Sequence, residues 1–192
     1  MMETERILLR PWREEDAEGL YRLASDPEVG PRAGWAPHQN VDESREVIRT
    51  IFSNDHTWAI VEHRGCRLPA CEYIAGWQPA SQPAYPVGCI CYYPHGESNI
   101  GIGPDDAEVG YWVARPWWNR GLATEALRLL INHCFCNIGF RTLWGDYLES
   151  NPASGRVMQK CGFRPTGRVN HLSRLQFAGD QPVKVMRLDR PC

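Results

Sequence analysis

The sequence predicts a mixed α/β fold in which helices cover one central sheet. Short β-type runs and helical patterns follow one another in the order strand, two helices, three strands, long helix, strand, helix and two strands. The 192 residues are 43% hydrophobic and 23% charged, as in an ordinary globular domain. Because neither a repeat nor a shift of composition divides the chain, we expect a single domain over residues 1–192.

The first half of the chain alternates between strand and helix signals. Pro11 stops an apolar run typical of a strand, and acidic residues then favour a helix that starts at Arg13. Two glycines and two prolines mark residues 30–39 as a loop. The predicted elements are a strand over 6–10, a helix from Arg13 that ends at Asp26-Pro27, a helix capped by Asp42 with a buried stripe reaching Phe52, and a strand over 58–61.

The second half contains the clearest helix of the chain. After Gly121, apolar residues recur at helical spacing until Gly139, which is a typical C-terminal cap. Residues 64–86 are rich in Gly, Pro, Gln and Ser and predict a long flap. The other predicted elements are strands over 87–93, 107–114, 141–148, 163–169 and 182–188, and a helix from Asn151-Pro152 to Lys160.

Charge and targeting signals narrow the class of protein. The formal net charge of −2, from 21 basic and 23 acidic residues, argues against a nucleic-acid partner and against an anionic membrane surface. No apolar stretch approaches the roughly 18 residues of a membrane span, and the charged N-terminus is unlike a secretory signal. We therefore expect a cytoplasmic protein, either a monomer or a homodimer.

Eight cysteines leave two interpretations open. The pairs Cys89/Cys91 and Cys134/Cys136 are separated by one residue, whereas zinc sites usually show CxxC pairs. Residues i and i+2 share one face of a strand, so Cys89 and Cys91 could approach one ligand. Reduced thiols without a metal are the favoured interpretation, since a chain of this length needs no disulfide or zinc for its core. A zinc-stabilised interaction module is the alternative.

A predicted strand passes through a tight turn into the long helix between Glu108 and Glu125. The first N–H groups of a helix have no partner within it, and the helix dipole adds partial positive charge. Such a junction binds phosphate where small residues let the backbone approach the ligand. Gly121 and Ala123 are such residues, and Arg120 adds a cation. The junction alone remains a weak signal, because most strand-turn-helix junctions bind nothing.

Three segments resemble one family. The turn 118–123, Trp-Asn-Arg-Gly-Leu-Ala, resembles motif A of the GNAT acetyltransferases, Gln/Arg-x-x-Gly-x-Gly/Ala, with Trp118 in place of the usual Gln or Arg. Residues 151–163 resemble the family's motif B. Residues 3–11 resemble the start of the branch that contains the ribosomal-protein alanine N-acetyltransferases. The resemblance implies a mixed, mostly antiparallel sheet flanked by helices, with splayed strands that form a coenzyme A cleft.

The resemblance also implies a chemistry, in which an amine attacks the thioester of acetyl-coenzyme A directly and no metal takes part. The residues that it places on this co-substrate are Trp112, Val113 and Ala114 for the pantetheine and the acetyl carbonyl, Asn119, Arg120, Gly121, Leu122, Ala123 and Thr124 for the pyrophosphate, and Asn151 for the pantetheine. Asn151 followed by Pro152 is also an ordinary helix cap and first-turn pair, and this structural role stays open.

Proton transfer requires a base for the acceptor ammonium and an acid for the departing thiolate. Strand alternation places Glu108 on the same face as Trp112, beside the implied acetyl site, which makes it the first candidate for the base. Asp146 matches a position that carries a base in some relatives and is the second candidate. Structural ion pairs are the alternative for both carboxylates. Ser154 is the implied acid, since Met158 stands where many relatives have a tyrosine and a thioether has no proton to donate.

The acceptor is the part that the sequence defines least. Trp35 and His38, in the predicted loop over 30–39, are the candidates for acceptor binding, together with the flap over 64–86. A peptide N-terminus, a polyamine, an antibiotic amine and a small metabolite amine all fit the same co-substrate half, and the branch resemblance favours an α-amino group. A domain that holds coenzyme A without turnover is the main alternative, because of the changes at Trp118 and Met158.

Overall fold

A computed structural model describes residues 1–63, 85–171 and 181–191. Within these residues eight strands form one sheet in the order β1-β2-β3-β4-β5-β6-β8-β7. The strands are β1 (Met2–Glu3), β2 (Ile7–Arg10), β3 (Thr57–Glu62), β4 (Pro86–Pro94), β5 (Asp106–Val113), β6 (Thr142–Leu148), β7 (Arg164–His171) and β8 (Pro182–Asp189). Every neighbouring pair is antiparallel except β5 and β6, which run parallel. The predicted mixed, mostly antiparallel sheet is confirmed.

The helices lie between β2 and β3, between β5 and β6, and between β6 and β7, which β8 separates in the sheet. They are α1 (Ala17–Ala24), α2 (Gly30–Ala33), α3 (Val41–Val47), α4 (Leu122–Asn132) and α5 (Pro152–Lys160). α3 and α4 each continue into a π-helical segment, over Ile48–Phe52 and His133–Ile138 respectively. The crossover between the parallel strands β5 and β6 runs through α4, as parallel pairing requires. None of the helices in the described part of the chain has the length and apolarity that a membrane crossing requires.

Helices cover both faces of the sheet. α4 and α5 pack on one face, where Leu127, Leu130 and Met158 are almost fully buried. α1 and the π-helical end of α3 pack on the other face, where Leu20 and Ile48 are equally buried. Burial of each such side chain contributes about 1.5–3 kcal/mol to stability. The central strands are therefore held from both sides, which fixes the position of the groups that they carry.

A buried ion pair ties β2 to the start of α1. The guanidinium of Arg10 donates to both carboxylate oxygens of Asp16, at 2.6 and 2.7 Å. The same carboxylate accepts the backbone N–H of Arg13 at 3.0 Å, and the two charged residues are 7% and 5% exposed. The acidic run that predicts a helix start thus has a second role, since Asp16 also neutralises a buried charge.

Three predictions about local structure need correction. The loop predicted over 30–39 contains the short helix α2, because Pro31 is tolerated in a first helical turn and Gly34, at φ +90°, ends the helix. The cap of α3 is Asn40, not Asp42, and its side chain accepts the N–H of Glu43 at 2.8 Å. The strand β1 is missing from the prediction because two residues show no periodicity. The predicted flap over 64–86 lies outside the described residues up to residue 84.

Candidate active site

The cleft opens where β5 and β6 separate. Their parallel pairing runs from Asp106 opposite Thr142 to Val109 opposite Gly145 and ends there. β5 then follows β4 as far as Val113, while β6 follows β8. Beyond Val109 the inner edges of the two strands diverge, so the backbone groups on those edges no longer pair with the other strand.

Close glycine contacts seat α5 directly on β6, which forms one wall of the cleft. A Cβ added to Gly155 would lie 2.7 Å from the ring of Tyr147, and one added to Gly145 would lie 2.7 Å from the sulfur of Met158. Met158 is 1% exposed. This methionine therefore serves packing, and the first turn of α5 is brought against the splayed strands.

The turn after β5 presents the start of α4 to the cleft. Asn119 and Gly121 have φ values of +60° and +81°, a conformation that asparagine and glycine tolerate better than other residues. The first hydrogen bond of α4 runs from the N–H of Glu125 to the carbonyl of Gly121 at 3.0 Å. The amides of residues 122–124 precede that bond and have no intrahelical acceptor. A Cβ added to Gly121 would meet no heavy atom within 4 Å, so the space beside the turn is open.

Trp118 is part of the cleft wall. Its indole N–H donates to the carbonyl of Val113 at 2.6 Å, and the guanidinium of Arg32 lies 5.3 Å from the centre of its ring. The change from the usual Gln or Arg thus introduces a side chain that binds the edge of β5 and stacks against α2. From the sequence, Trp118 is recognised only as a departure from the motif, because both of its contacts form only in the folded turn.

The three residues predicted for the pantetheine differ in where their backbone groups point. The N–H of Ala114 donates to Val87 at 2.9 Å, and its carbonyl accepts from Trp117 at 2.9 Å. The carbonyl of Trp112 points towards β4, since a Cβ on Gly88 would lie 2.3 Å from it. Because N–H and C=O groups alternate sides along a strand, those of Val113 face the cleft.

Asn151 occupies the N-cap position of α5, but its side chain does not have the capping role that the sequence suggests. Its side chain makes no capping hydrogen bond. Its amide nitrogen donates instead to the carbonyl of Arg32 at 3.1 Å. Together with the stacking of Arg32 on Trp118, this bond makes α2 a bridge between the two walls of the cleft.

Arg120 points away from the open side of the turn. Its Nη2 lies 3.8 Å from Oε1 of Glu62 on β3, and the other oxygen of that carboxylate accepts the indole N–H of Trp117 at 2.8 Å. The side chain of Arg120 is 21% exposed. The predicted cation is therefore engaged with a buried carboxylate, and the backbone amides are the groups of this turn that face outward.

Two hydroxyl groups meet at the start of α5. The phenol of Tyr111 on β5 donates to the carbonyl of Ser154 at 2.8 Å, and the hydroxyl of Ser154 donates to the Tyr111 oxygen at 3.0 Å. Burial raises the pKa of the Tyr111 phenol, which keeps it a neutral donor. Sequence reasoning missed Tyr111, although alternation along β5 places it on the face opposite Glu108.

Glu108 and Asp146 lie on the other face of the sheet, on either side of the splay. Glu108 is 4% exposed, and its Oε2 accepts the hydroxyl of Ser98 at 2.7 Å and the N–H of Asn99 at 3.1 Å. Asp146 is half-buried on β6, one residue beyond the last β5–β6 pair at Gly145. The structure thus brings both predicted carboxylates to one side of the cleft and gives Glu108 two donors that the sequence did not indicate.

Trp35 and His38 form an aromatic wall on that same side. The Trp35 ring lies 5.6 Å from that of Trp112 and 5.4 Å from that of His38. His38 is fixed by a 2.8 Å contact between its Nδ1 and the hydroxyl of Ser44. Burial lowers the pKa of His38, against the smaller opposite effect of Glu43. The wall suits a neutral imidazole that contributes hydrogen bonding rather than charge.

The described cysteines are free thiols, at positions 89, 91, 134, 136 and 161. Burial raises the pKa of Cys89 and Cys134, so both thiols stay protonated at neutral pH. In the described ranges, no three His, Cys, Asp or Glu side chains are arranged to hold a metal ion. Cys66, Cys71 and Cys192 lie outside the described residues.

Comparison with known proteins identifies relatives over most of the chain. Residues 6–164 match the family described as acetyltransferase (GNAT) domain. The uncharacterized N-acetyltransferase YoaA of Bacillus subtilis is 23% identical over 168 residues, which cover 87% of this chain and 84% of that protein.

Solved structures share the fold. A GNAT-family acetyltransferase from Bacillus anthracis has a TM-score of 0.73 and 16% identity, over 98% of this chain and 97% of its own. The spermidine N-acetyltransferase of Vibrio cholerae, in complex with coenzyme A and spermine, has a TM-score of 0.68 and 15% identity, over 97% and 96%. Since the family match covers well over half of a chain with this fold, the protein belongs to the GNAT acetyltransferase domain family and is an acyltransferase.

Proposed function

We propose that the protein transfers an acetyl group from acetyl-coenzyme A to a primary amine, with this co-substrate bound between β5 and β6. One observation carries the proposal. The N–H of Val113 at the end of β5 and the outward amides of residues 122–124 are joined by residues 114–121, which include a short 3-10 helix, so they can contact the pantetheine and the pyrophosphate of one extended molecule. The coenzyme A bound to the spermidine N-acetyltransferase of the same fold supports the assignment.

The co-substrate fits the groups that line the cleft. The amides of Leu122, Ala123 and Thr124, with the dipole of α4, suit the charge of a pyrophosphate. The open space beside Gly121 lets the phosphate oxygens approach the backbone. The N–H of Val113 is placed to polarise the thioester carbonyl, where negative charge develops during attack.

We assign the acceptor half to the face that carries Glu108, Asp146, Trp35 and His38. An ammonium cannot attack, so a base removes its proton before the nitrogen–carbon bond forms and the carbon–sulfur bond breaks. Glu108 is our first choice for this base and Asp146 the second. Glu108→Gln removes the proposed base and should lower kcat by about 10²–10⁴-fold. Asp146→Asn neutralises the second candidate, on β6, in the same way and allows the two carboxylates to be compared.

The departing thiolate receives its proton on the opposite face, from Ser154. The hydroxyl of Ser154 lies in the first turn of α5 and is fixed by Tyr111. Tyr111 donates in turn to the carbonyl of Ser154, so neither hydroxyl rotates freely. This arrangement supports a donor in place of the tyrosine that Met158 replaces.

The acceptor itself is proposed as an α-amino group of a peptide or a small-molecule amine. The segment 3–11 and the ribosomal-protein branch that it resembles favour the former, and the name of the Vibrio cholerae relative favours the latter. Trp35 and His38 lie on the acceptor side in either case. Alanine at Trp35 should therefore change acceptor preference while the affinity for acetyl-coenzyme A stays constant.

Two measurements on the full chain test the proposal. Calorimetric titration with acetyl-coenzyme A measures binding, and release of free thiol measures turnover with peptides, polyamines and aminoglycosides. N-acetylated forms of the same acceptors serve as controls. Binding with turnover on at least one free amine supports the enzyme. Binding without turnover on any amine indicates the alternative, a coenzyme A sensor, and absence of binding refutes both.

A further inference from the structure

The N-terminal segment is attached to the proposed pyrophosphate site by two side chains. The hydroxyl of Thr4 donates to Oε1 of Glu125. The guanidinium of Arg6 lies 3.2 Å from the other oxygen of Glu125 and donates through Nη2 to the carbonyl of Arg120 at 2.9 Å. These residues are more than 110 positions apart in sequence, so the contacts are a product of the fold.

Glu125 creates an electrostatic problem at this place. It is the acidic residue in the first turn of α4, and its side chain is only 21% exposed. A carboxylate there stabilises the helix through the dipole. It also repels a pyrophosphate that uses the same positive helix end, since like charges close together in a partly buried site are weakly screened.

Arg6 is the described cation that contacts this carboxylate, because Arg120 is turned towards Glu62. Arg6 therefore acts on both parts of the turn. One arm of the guanidinium neutralises Glu125, and the other holds the carbonyl of Arg120, the residue directly before Gly121.

We propose that Arg6 is a positioning residue for acetyl-coenzyme A. It cancels the charge of Glu125 and fixes the backbone that presents the amides of residues 122–124 to the pyrophosphate. Arg6 acts through Glu125 and Arg120 and does not touch the reacting atoms. The inference rests on the proposed function, since it requires the pyrophosphate to bind at this turn.

A double-mutant cycle at Arg6 and Glu125 tests the proposal, with the Kd of acetyl-coenzyme A measured by calorimetric titration. Arg6→Ala should raise Kd about tenfold, equivalent to about 1.4 kcal/mol, with kcat at saturating co-substrate within about twofold of wild type. Glu125→Gln should bind at least as tightly as wild type. The double variant should recover to within about threefold of wild type, because no uncompensated charge remains. Arg6→Lys keeps the positive charge but loses the planar guanidinium that contacts two groups, so its Kd should lie between those of wild type and Arg6→Ala.

Arg49→Ala is the matched control. Arg49 forms a bidentate ion pair with Glu14. Like the pair of Arg6 and Glu125, it joins segments that are distant in sequence, but it does not involve the turn before α4. Its removal should leave Kd unchanged, and melting temperatures report any loss of folding in each variant. The proposal is overturned if the double variant binds as weakly as Arg6→Ala, if Glu125→Gln weakens binding, or if Arg6→Ala binds normally. Failure of the wild type to bind would overturn the proposed function itself, and this inference with it.

Discussion

Replacement of Gly121 by alanine separates the stability of the turn from its proposed ligand site. Gly121 has φ +81°, and a side chain in that left-handed region costs about 1–2 kcal/mol. The added Cβ meets no protein atom within 4 Å, so no packing clash adds to this cost. At roughly 2–4 °C per kcal/mol for a domain of this size, we expect the variant to melt about 2–8 °C below wild type.

The effect on binding should be much larger. Wild type at 100 times Kd of acetyl-coenzyme A gains about 2.7 kcal/mol, which corresponds to a rise of about 5–10 °C in melting temperature. A methyl group beside the turn blocks approach to the amides. Two hydrogen bonds to a charged phosphate contribute about 3–6 kcal/mol together. Their loss raises Kd at least a hundredfold, and the ligand-induced rise falls to about 1 °C at the same concentration.

Gly139 provides the control at the other end of the same helical region. Its φ is +93°, and an added Cβ there also meets nothing within 4 Å. Gly139→Ala should therefore lose similar stability and keep the full rise with acetyl-coenzyme A. The assay is thermal unfolding of both variants with and without the co-substrate. If Gly121→Ala keeps the wild-type rise, the pyrophosphate is bound elsewhere and the reasoning is refuted.

Three further outcomes are expected. In steady-state kinetics, Ser154→Ala and Tyr111→Phe should each lower kcat by about 10–100-fold and leave the KM for acetyl-coenzyme A nearly unchanged. The double variant should have a kcat no lower than that of Ser154→Ala, and additive losses would mean that the two hydroxyls act separately. The free energy of unfolding should fall as pH drops below 6.5, because the imidazole of residue 38 binds a proton in the unfolded chain more readily than when it is buried in the fold. His38→Gln should reduce the difference in this free energy between pH 5 and pH 7, measured by urea titration. An unchanged difference would exclude His38 as its source. Asp16→Ala should lower the free energy of unfolding by about 3–5 kcal/mol, because the buried charge of Arg10 loses its carboxylate partner. A loss below about 1 kcal/mol in urea denaturation would contradict this account of the ion pair.

The sequence predicts the sheet and the main helices because their signals are local. Alternation along residues 107–114 and the helical spacing after Gly121 require no knowledge of the partner elements. The turn is predicted for the same reason, and the structure gives Gly121 a positive φ, which glycine adopts without strain. The segment that resembles motif A therefore lies at a strand-turn-helix junction that local patterns predict.

The contacts that define the site depend on long-range packing, and local patterns contain no information on them. Tyr111 reaches Ser154 only because glycines at 145 and 155 bring α5 close to β6. The side chain of Asn151 would cap a helix in isolation, but in the fold it is turned towards α2, where its amide nitrogen donates to the carbonyl of Arg32. The helix α2 itself is four residues long, which is too short for a periodic signal.

The bond between Trp118 and Val113 bears on how the proposed cleft uses its hydrogen bonds. A backbone carbonyl left without a donor at a partly buried edge costs about 1–3 kcal/mol, so the indole stabilises the cleft before any ligand binds. A pantetheine amide that displaced the indole would exchange one bond for another and gain little. The N–H of Val113 differs, because it faces the place proposed for the thioester carbonyl. At Val113, hydrogen bonding that depends on the ligand is then directed to the atom where charge develops, and a bond of that kind accelerates the reaction rather than only tightening binding.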